Sequence, residues 1–214
     1  MAHSDLTDGY KLIGELLLSP AERDPKRVST LLESLRETLP EVVSKVTEFL
    51  AVPASHSSDE YLQTLELTPP CPLYLGSHLF DEPESCNGVG TSGRNPYMLE
   101  LKGIYSHFGV EMTGGELPDF LPVMVDFLWI SLDRGVQDGI GLRRRYLEEY
   151  VLRGLGPLSA SLEKYSSAYA LLVKALEITV QEDLHRLGDA PIWMPPPNGS
   201  EDAISLPVLA QGTT

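Results

Sequence analysis

Two carboxylates, Glu116 and Asp119, flank Pro118 directly after Gly114-Gly115 and just before the apolar run LPVMVDFLWISL. Acids at this spacing have three uses. They can work as an acid–base pair if a pocket drives their proton affinities apart. They can hold a cationic group. They can also complement the positive end of a following helix, contributing about 0.3–1 kcal/mol with no function implied. Other reactive side chains are scattered. His3, His56, His78, His107 and His185 do not fall with Cys, Asp or Glu at zinc-ligand spacing. No serine or cysteine stands in a nucleophile elbow. Cys71, between prolines, reads as a small buried apolar side chain. Residues 88–93 spell G-x-G-x-x-G, but that motif binds a pyrophosphate only between a strand and a helix of a βαβ unit. The upstream residues, FDEPESC, do not read as a strand, so a loop is expected.

Charge narrows the partners. The chain has 214 residues, with 16 Lys plus Arg against 31 Asp plus Glu, for a formal charge of −15. Such a surface repels phosphate backbones and anionic lipid and attracts basic peptide. Nucleic acid and direct membrane insertion are therefore not expected. Two cysteines, Cys71 and Cys86, make no disulfide framework and suit a reducing compartment. The start, MAHSDLTDGYKLIGELLL, places acids before a short apolar stretch, unlike a secretory signal. No apolar run approaches the ~18 residues of a membrane span, and the longest candidate is broken by Asp126. A cytoplasmic protein is expected.

The elements that must position Glu116 and Asp119 carry a helical period. Leu6, Tyr10, Ile13, Leu16 and Leu17 share one face, and Ser19-Pro20 ends that segment. Residues 25–51 carry two apolar stripes separated by Pro40, predicting two helices or a kinked one. TPPCPLYLGSHLF must begin extended, and the Gly-, Ser- and Pro-rich stretch after it reads as a long loop. Tyr97, Leu101, Ile104, Tyr105 and Phe108 then form a helical face stopped near Gly109. Leu121, Met124, Val125, Leu128 and Leu132 form another, with Pro118 and Pro122 tolerable only near its start. In the last third, Gly154, Gly156 and Pro157 predict a break between Arg153 and Leu158. Tyr165, Ala168, Tyr169, Leu172, Leu176 and Leu187 are expected to point inward, with Ser166 or Ser167 capping. Strand patterns are scarce. The expectation is an all-α, single globular bundle of roughly seven to nine helices over residues 1–188. The Pro-rich tail, 189–214, is expected to be mostly disordered or to lie over the surface.

Three segments in order resemble a known family. GGELPDFLPVMVDFL is similar to the E-x-P-D-H-L-P-x-x-L-E-F-L segment of molybdoenzyme-assembly chaperones of the TorD/DmsD/NarJ type, the nitrate reductase delta-subunit family. RRRYLEEYVLRGLGPLSASLEKYSSAYALLVKALE resembles that family's helix leading into P-L-x-x-x-L, a small-residue turn and a final long helix. YLQTLELTPPCPLYLGSHLF, then a loop and Arg94, resembles the region before its variable loop. The resemblance covers roughly residues 5–188. Glu116, Pro118 and Asp119 fall on the E-x-P-D positions. Phe120 stands where the family commonly has His, which removes a titratable donor, and Ser167-Ala168 stands where Ser-Pro is common.

The resemblance implies a TorD-like helical fold and a cytoplasmic chaperone that is not an enzyme. Such a protein binds the N-terminal leader, often twin-arginine, of the catalytic subunit of a molybdenum oxidoreductase of the DMSO-reductase family. It delays export or assembly until the molybdopterin guanine dinucleotide and iron–sulfur cluster are in place. That cofactor belongs to the client; none is expected in the chaperone, which would be a monomer or dimer. The relatives most resembled serve nitrate, selenate, dimethylsulfide or ethylbenzene-type enzymes. The leader's apolar run needs an apolar slot and its arginines need acids. The expected groove has Tyr74, Leu75, His78 and Phe80 as its wall and Glu116 and Asp119 at its rim, beside Pro118, Phe120 and Arg94, with the glycine-rich loop able to close over it. A helical adaptor or regulatory subunit for an unrelated protein is the alternative. An enzyme using Glu116 and Asp119 as acid and base is a third reading.

Overall fold

Capping chemistry sets the first helix boundaries. In the computed structural model, which describes residues 4–67, 69–80, 92–112, 114–132, 134–136 and 138–193, α1 spans Ser4–Leu17. Asp24 accepts the amides of Lys26 and Arg27, and Pro25 opens α2, Pro25–Leu35, where an amide donor would be unpaired anyway. Pro40 opens α3, Pro40–Ala51, in the same way. Of the two forms expected around Pro40, two helices or a kinked one, two separate helices form. The short α4, Ser58–Tyr61, is capped by Ser57 and widens into a π-turn, Leu62–Glu66. An irregular stretch follows, ending in a 3-10 turn, Leu75–His78. Beyond it come α5, Arg94–His107, and α6, Leu121–Leu132. Gly109 terminates α5 with φ +64, a conformation that favours glycine.

The predicted break at Gly154–Pro157 does not occur. The chain runs from α7, Gly139–Arg145, through a π-helical turn, Tyr146–Leu152, into α8, Arg153–Lys164, with Pro157 inside the helix. The irregularity sits upstream, where the wider turn carries Tyr146, Leu147, Tyr150 and Val151 all into the core. Gly154 is there for packing: a Cβ on it would lie 2.8 Å from the Cβ of Leu75. The final helix α9, Tyr169–Leu187, follows a turn with Ser166 at φ +53. The N-cap residue is Ala168, without a side-chain cap bond, rather than Ser166 or Ser167, although Ser167 Oγ accepts the amide of Tyr169 at 3.3 Å. Tyr165, expected inward, is 51% exposed, because it lies past the last turn of α8 and leaves the buried stripe.

Packing makes one all-α bundle, with no sheet among the described residues. α1 lies at its centre against α2, α6 and α9; α9 also packs on α3 and α8. Gly9 lets α1 approach α9, where its missing Cβ would meet Thr179 at 3.3 Å. Among the described residues the α-helices fall within the expected seven to nine. The glycine-rich motif up to Thr91, and the tail beyond Trp193, lie outside the described residues. The part of the tail that is described, residues 189–193, lies on α7.

A polar knot crosses the core. Arg143 and Asp183, both buried, form an ion pair; Tyr10 donates to Asp183 Oδ2 at 2.7 Å, and Arg143 also reaches Ser131 and the Leu128 carbonyl. Burial, then the Asp183 charge, pushes the Tyr10 phenol well above its ordinary range.

Two glycines of α8 give opposite expectations. Gly154→Ala should destabilise the fold by about 1–3 kcal/mol through overpacking on Leu75. Gly156→Ala, with nothing within 4 Å of the new Cβ, should stabilise by about 0.4–1 kcal/mol. Urea midpoints of the two variants check both signs.

Candidate functional site

Proline spacing keeps residues 69–74 out of helix, and the extended chain finds one short partner. Tyr74 and Phe120 form an isolated antiparallel bridge. The Leu75 amide donates to the Asp119 carbonyl at 2.9 Å, and the Leu121 amide to the Leu73 carbonyl at 2.7 Å. These bonds flank the Tyr74–Phe120 pair, so it occupies the non-hydrogen-bonded position where side chains approach most closely. The two ring centroids are 5.0 Å apart.

Side chains alternate across such a bridge. Leu73, Leu75, Asp119 and Leu121 are buried, whereas Tyr74 and Phe120 are half-buried at the surface. Two expectations are corrected by this alternation. Leu75 is not a groove wall: it is fully buried against Gly154 of α8. Asp119 is not at a rim: its exposure is 0%.

Asp119 is instead the centre of the local structure. Its Oδ2 accepts the Gly76 amide at 3.1 Å and Arg94 Nε at 2.8 Å, and its Oδ1 accepts Arg94 Nη2 at 3.2 Å. The two-pronged arginine contact is geometrically matched to a carboxylate. Gly76 is required here, because a Cβ would lie 2.4 Å from Asp119 Oδ2. Both acids were expected as possible caps, yet Asp119 is committed to Gly76 and Arg94, and Glu116 turns to the Tyr74 hydroxyl, 2.8 Å away. Both Asp119 oxygens are thus engaged by partners within the fold. Pro118 is buried, and its carbonyl accepts the Tyr105 hydroxyl at 2.7 Å, fixing the turn against α5.

What remains at the surface is a patch. Glu116 is exposed, Leu117 is 41% exposed, and Tyr74 and Phe120 present ring area beside them. The Arg94 guanidinium lies 5.6 Å from the Tyr74 ring centroid, a cation–π arrangement from below. His78 and Phe80 do not join this patch through any contact described. His78 is half-buried, with Nε2 donating to the Pro72 carbonyl at 2.8 Å. Phe80 packs on Tyr97 at 5.4 Å and covers Gly93. Burial, then the Glu116 hydrogen bond and charge, pushes the Tyr74 phenol up to about 12 from its ordinary 10.0.

Sequence reasoning passed over Arg143 and Asp183. They border a separate cavity of about 640 Å³, whose other walls include Phe108, Leu132, Val136, Ile140 and Leu187. A signal was present: Asp183 continues the apolar stripe of Leu172, Leu176 and Val180, and an acid on a buried face needs an internal partner. No metal-holding cluster of His, Cys, Asp or Glu occurs among the described residues, and none of their helices is long and apolar enough to cross a membrane. No protein-family model matches the chain, and no curated protein matches it either.

Removing one partner of a buried pair strands the other charge. Asp119→Ala should cost about 3–5 kcal/mol of stability in urea unfolding, and Glu116→Ala less than about 1 kcal/mol. Tyr74 supplies a pH test. The folded state holds its proton more tightly, so that contribution is fully present below pH 10.0 and is lost as pH rises through about 12. The 295 nm difference titration between wild type and Tyr74→Phe should show a late phenol, which Glu116→Gln moves earlier.

Proposed function

We propose that this protein is a cytoplasmic maturation chaperone of the TorD/DmsD/NarJ type. It binds the N-terminal leader of the catalytic subunit of a molybdenum oxidoreductase of the DMSO-reductase family. It holds that subunit until its molybdopterin guanine dinucleotide is inserted, and it carries out no reaction itself. The single observation that carries this reading is the surface set of Tyr74, Phe120 and Leu117 beside exposed Glu116, mounted on buried Asp119 paired with half-buried Arg94. A leader of paired arginines and an apolar run matches that set in kind. A guanidinium can pair with Glu116 and lie on an aromatic face, while apolar side chains cover Tyr74, Leu117 and Phe120. The net charge of −15 adds attraction for a basic segment.

Rigidity of the seat supports the same reading. The main chain on both sides of the bridge is tied to buried groups, so a bound peptide does not have to order it. Affinity should then reside in the aromatic pair, with the rim acid setting charge preference.

Calorimetry with a synthetic twin-arginine leader tests the reading. Tyr74→Ala with Phe120→Ala should weaken binding about tenfold or more. Glu116→Gln should weaken it about two- to fivefold, an effect that shrinks in high salt. Undiminished binding by the folded aromatic double variant would refute the site. A pull-down from the native host should recover a molybdenum-enzyme subunit; an unrelated protein as the sole partner would favour the adaptor reading.

A further inference from the structure

Past α9 the chain turns at Gly188, with φ +58, and lies back on α7 without regular structure. Its main chain is held by hydrogen bonds to α7, and the Trp193 side chain packs against the core beside them. Arg144 Nη1 donates to the carbonyls of Gly188 and Ala190 at 2.7 and 2.9 Å, and the Trp193 amide donates to the Gly141 carbonyl at 3.2 Å. Gly141 makes the approach possible. A Cβ there would stand 2.6 Å from the Pro191 carbonyl oxygen and 3.1 Å from the Trp193 nitrogen. Arg144 spends its Nε on Glu148 at 2.9 Å, which aims the rest of the guanidinium at the strap.

Among the described residues, the strap leaves part of its seat open. A hollow of about 530 Å³ remains between it and Val136, Gly139 and Ile140. The same three residues also line the cavity of about 640 Å³ that runs toward Phe108 and Leu187. At the contact itself, Ile140 stays 63% exposed and Ile192 38% exposed. Main-chain capture with unfilled apolar room beside it is the arrangement by which a surface takes an extended peptide whose side chains vary.

We infer that the outer face of α7 is a receptor for an extended apolar peptide, and that residues 190–193 are its resident, displaceable occupant. This site is separate from the Tyr74 patch and does not depend on what that patch binds. A covalently attached occupant acts at an effective concentration of order millimolar, so it excludes weak outside peptides and yields to tight ones.

The test uses the full chain and a labelled peptide of residues 188–197 as the outside ligand, read by fluorescence anisotropy. Ile192→Gly with Trp193→Gly weakens the resident segment, so the peptide should bind this variant about tenfold tighter than it binds wild type. Adding Gly141→Val should abolish that binding, and adding Arg144→Ala instead should weaken it about fivefold or more. Hydrogen exchange on the wild-type chain should show a protected Trp193 amide that loses protection when peptide is in excess. No saturable binding to the strap variant, equal binding to both chains, or binding that survives Arg144→Ala undiminished would overturn the inference. If Gly141→Val does not fold, the Arg144→Ala comparison and the Trp193 amide decide.

Discussion

A fully buried carboxylate has to be neutralised where it lies, and Asp119 is neutralised by an arginine from another element. Arg94, at the first residue of α5, reaches Asp119 just before α6, while the Gly76 amide closes the third side. Three segments that lack a regular ladder are therefore tied at one point. Without that tie, the hydrogen bonds holding the irregular stretch before α5 against the turn at Pro118 would be the two of the Tyr74–Phe120 bridge and the surface bond from Tyr74 to Glu116. An ion pair in this setting adds little net stability over an apolar equivalent, but it sets position, since only one geometry satisfies both oxygens.

Once Asp119 is placed, the surface follows from it. The strand-like alternation at the bridge means that fixing Asp119 and Leu75 inward turns Tyr74 and Phe120 outward. The exposed Glu116 then meets the Tyr74 hydroxyl, and burial together with that carboxylate holds the phenol proton in place. The patch is thus the outer half of a structure whose inner half is the charge pair. Arg143 and Asp183 repeat the device deeper in the bundle, where α7 and α9 meet, and they border the cavity that shares Val136, Gly139 and Ile140 with the hollow beside residues 190–193.

The two surfaces proposed to take peptide would do so by different means. The Tyr74 patch offers side-chain faces and one acid; the α7 face offers a carbonyl and a guanidinium for main chain. Under the proposed chaperone function, two such surfaces would let one client segment be gripped while another exchanges with the strap.

The helices were legible in the sequence because their causes are local. Apolar residues at three- and four-residue steps, prolines at helix starts and Gly109 after α5 act within a turn or two of themselves. Gly154 and Pro157 misled for the complementary reason: the packing of Gly154 on Leu75 outweighs its weak local preference against helix. The same split divides the candidate site. That Glu116 and Asp119 matter together could be read from their spacing about Pro118. Which of them faces water depends on Arg94, 25 residues away from Asp119 along the chain, and on the pairing of Tyr74 with Phe120. Side-chain types and periods specify elements, but an acid's exposure is decided by the partner that the tertiary fold brings to it, because only a paired charge can leave water.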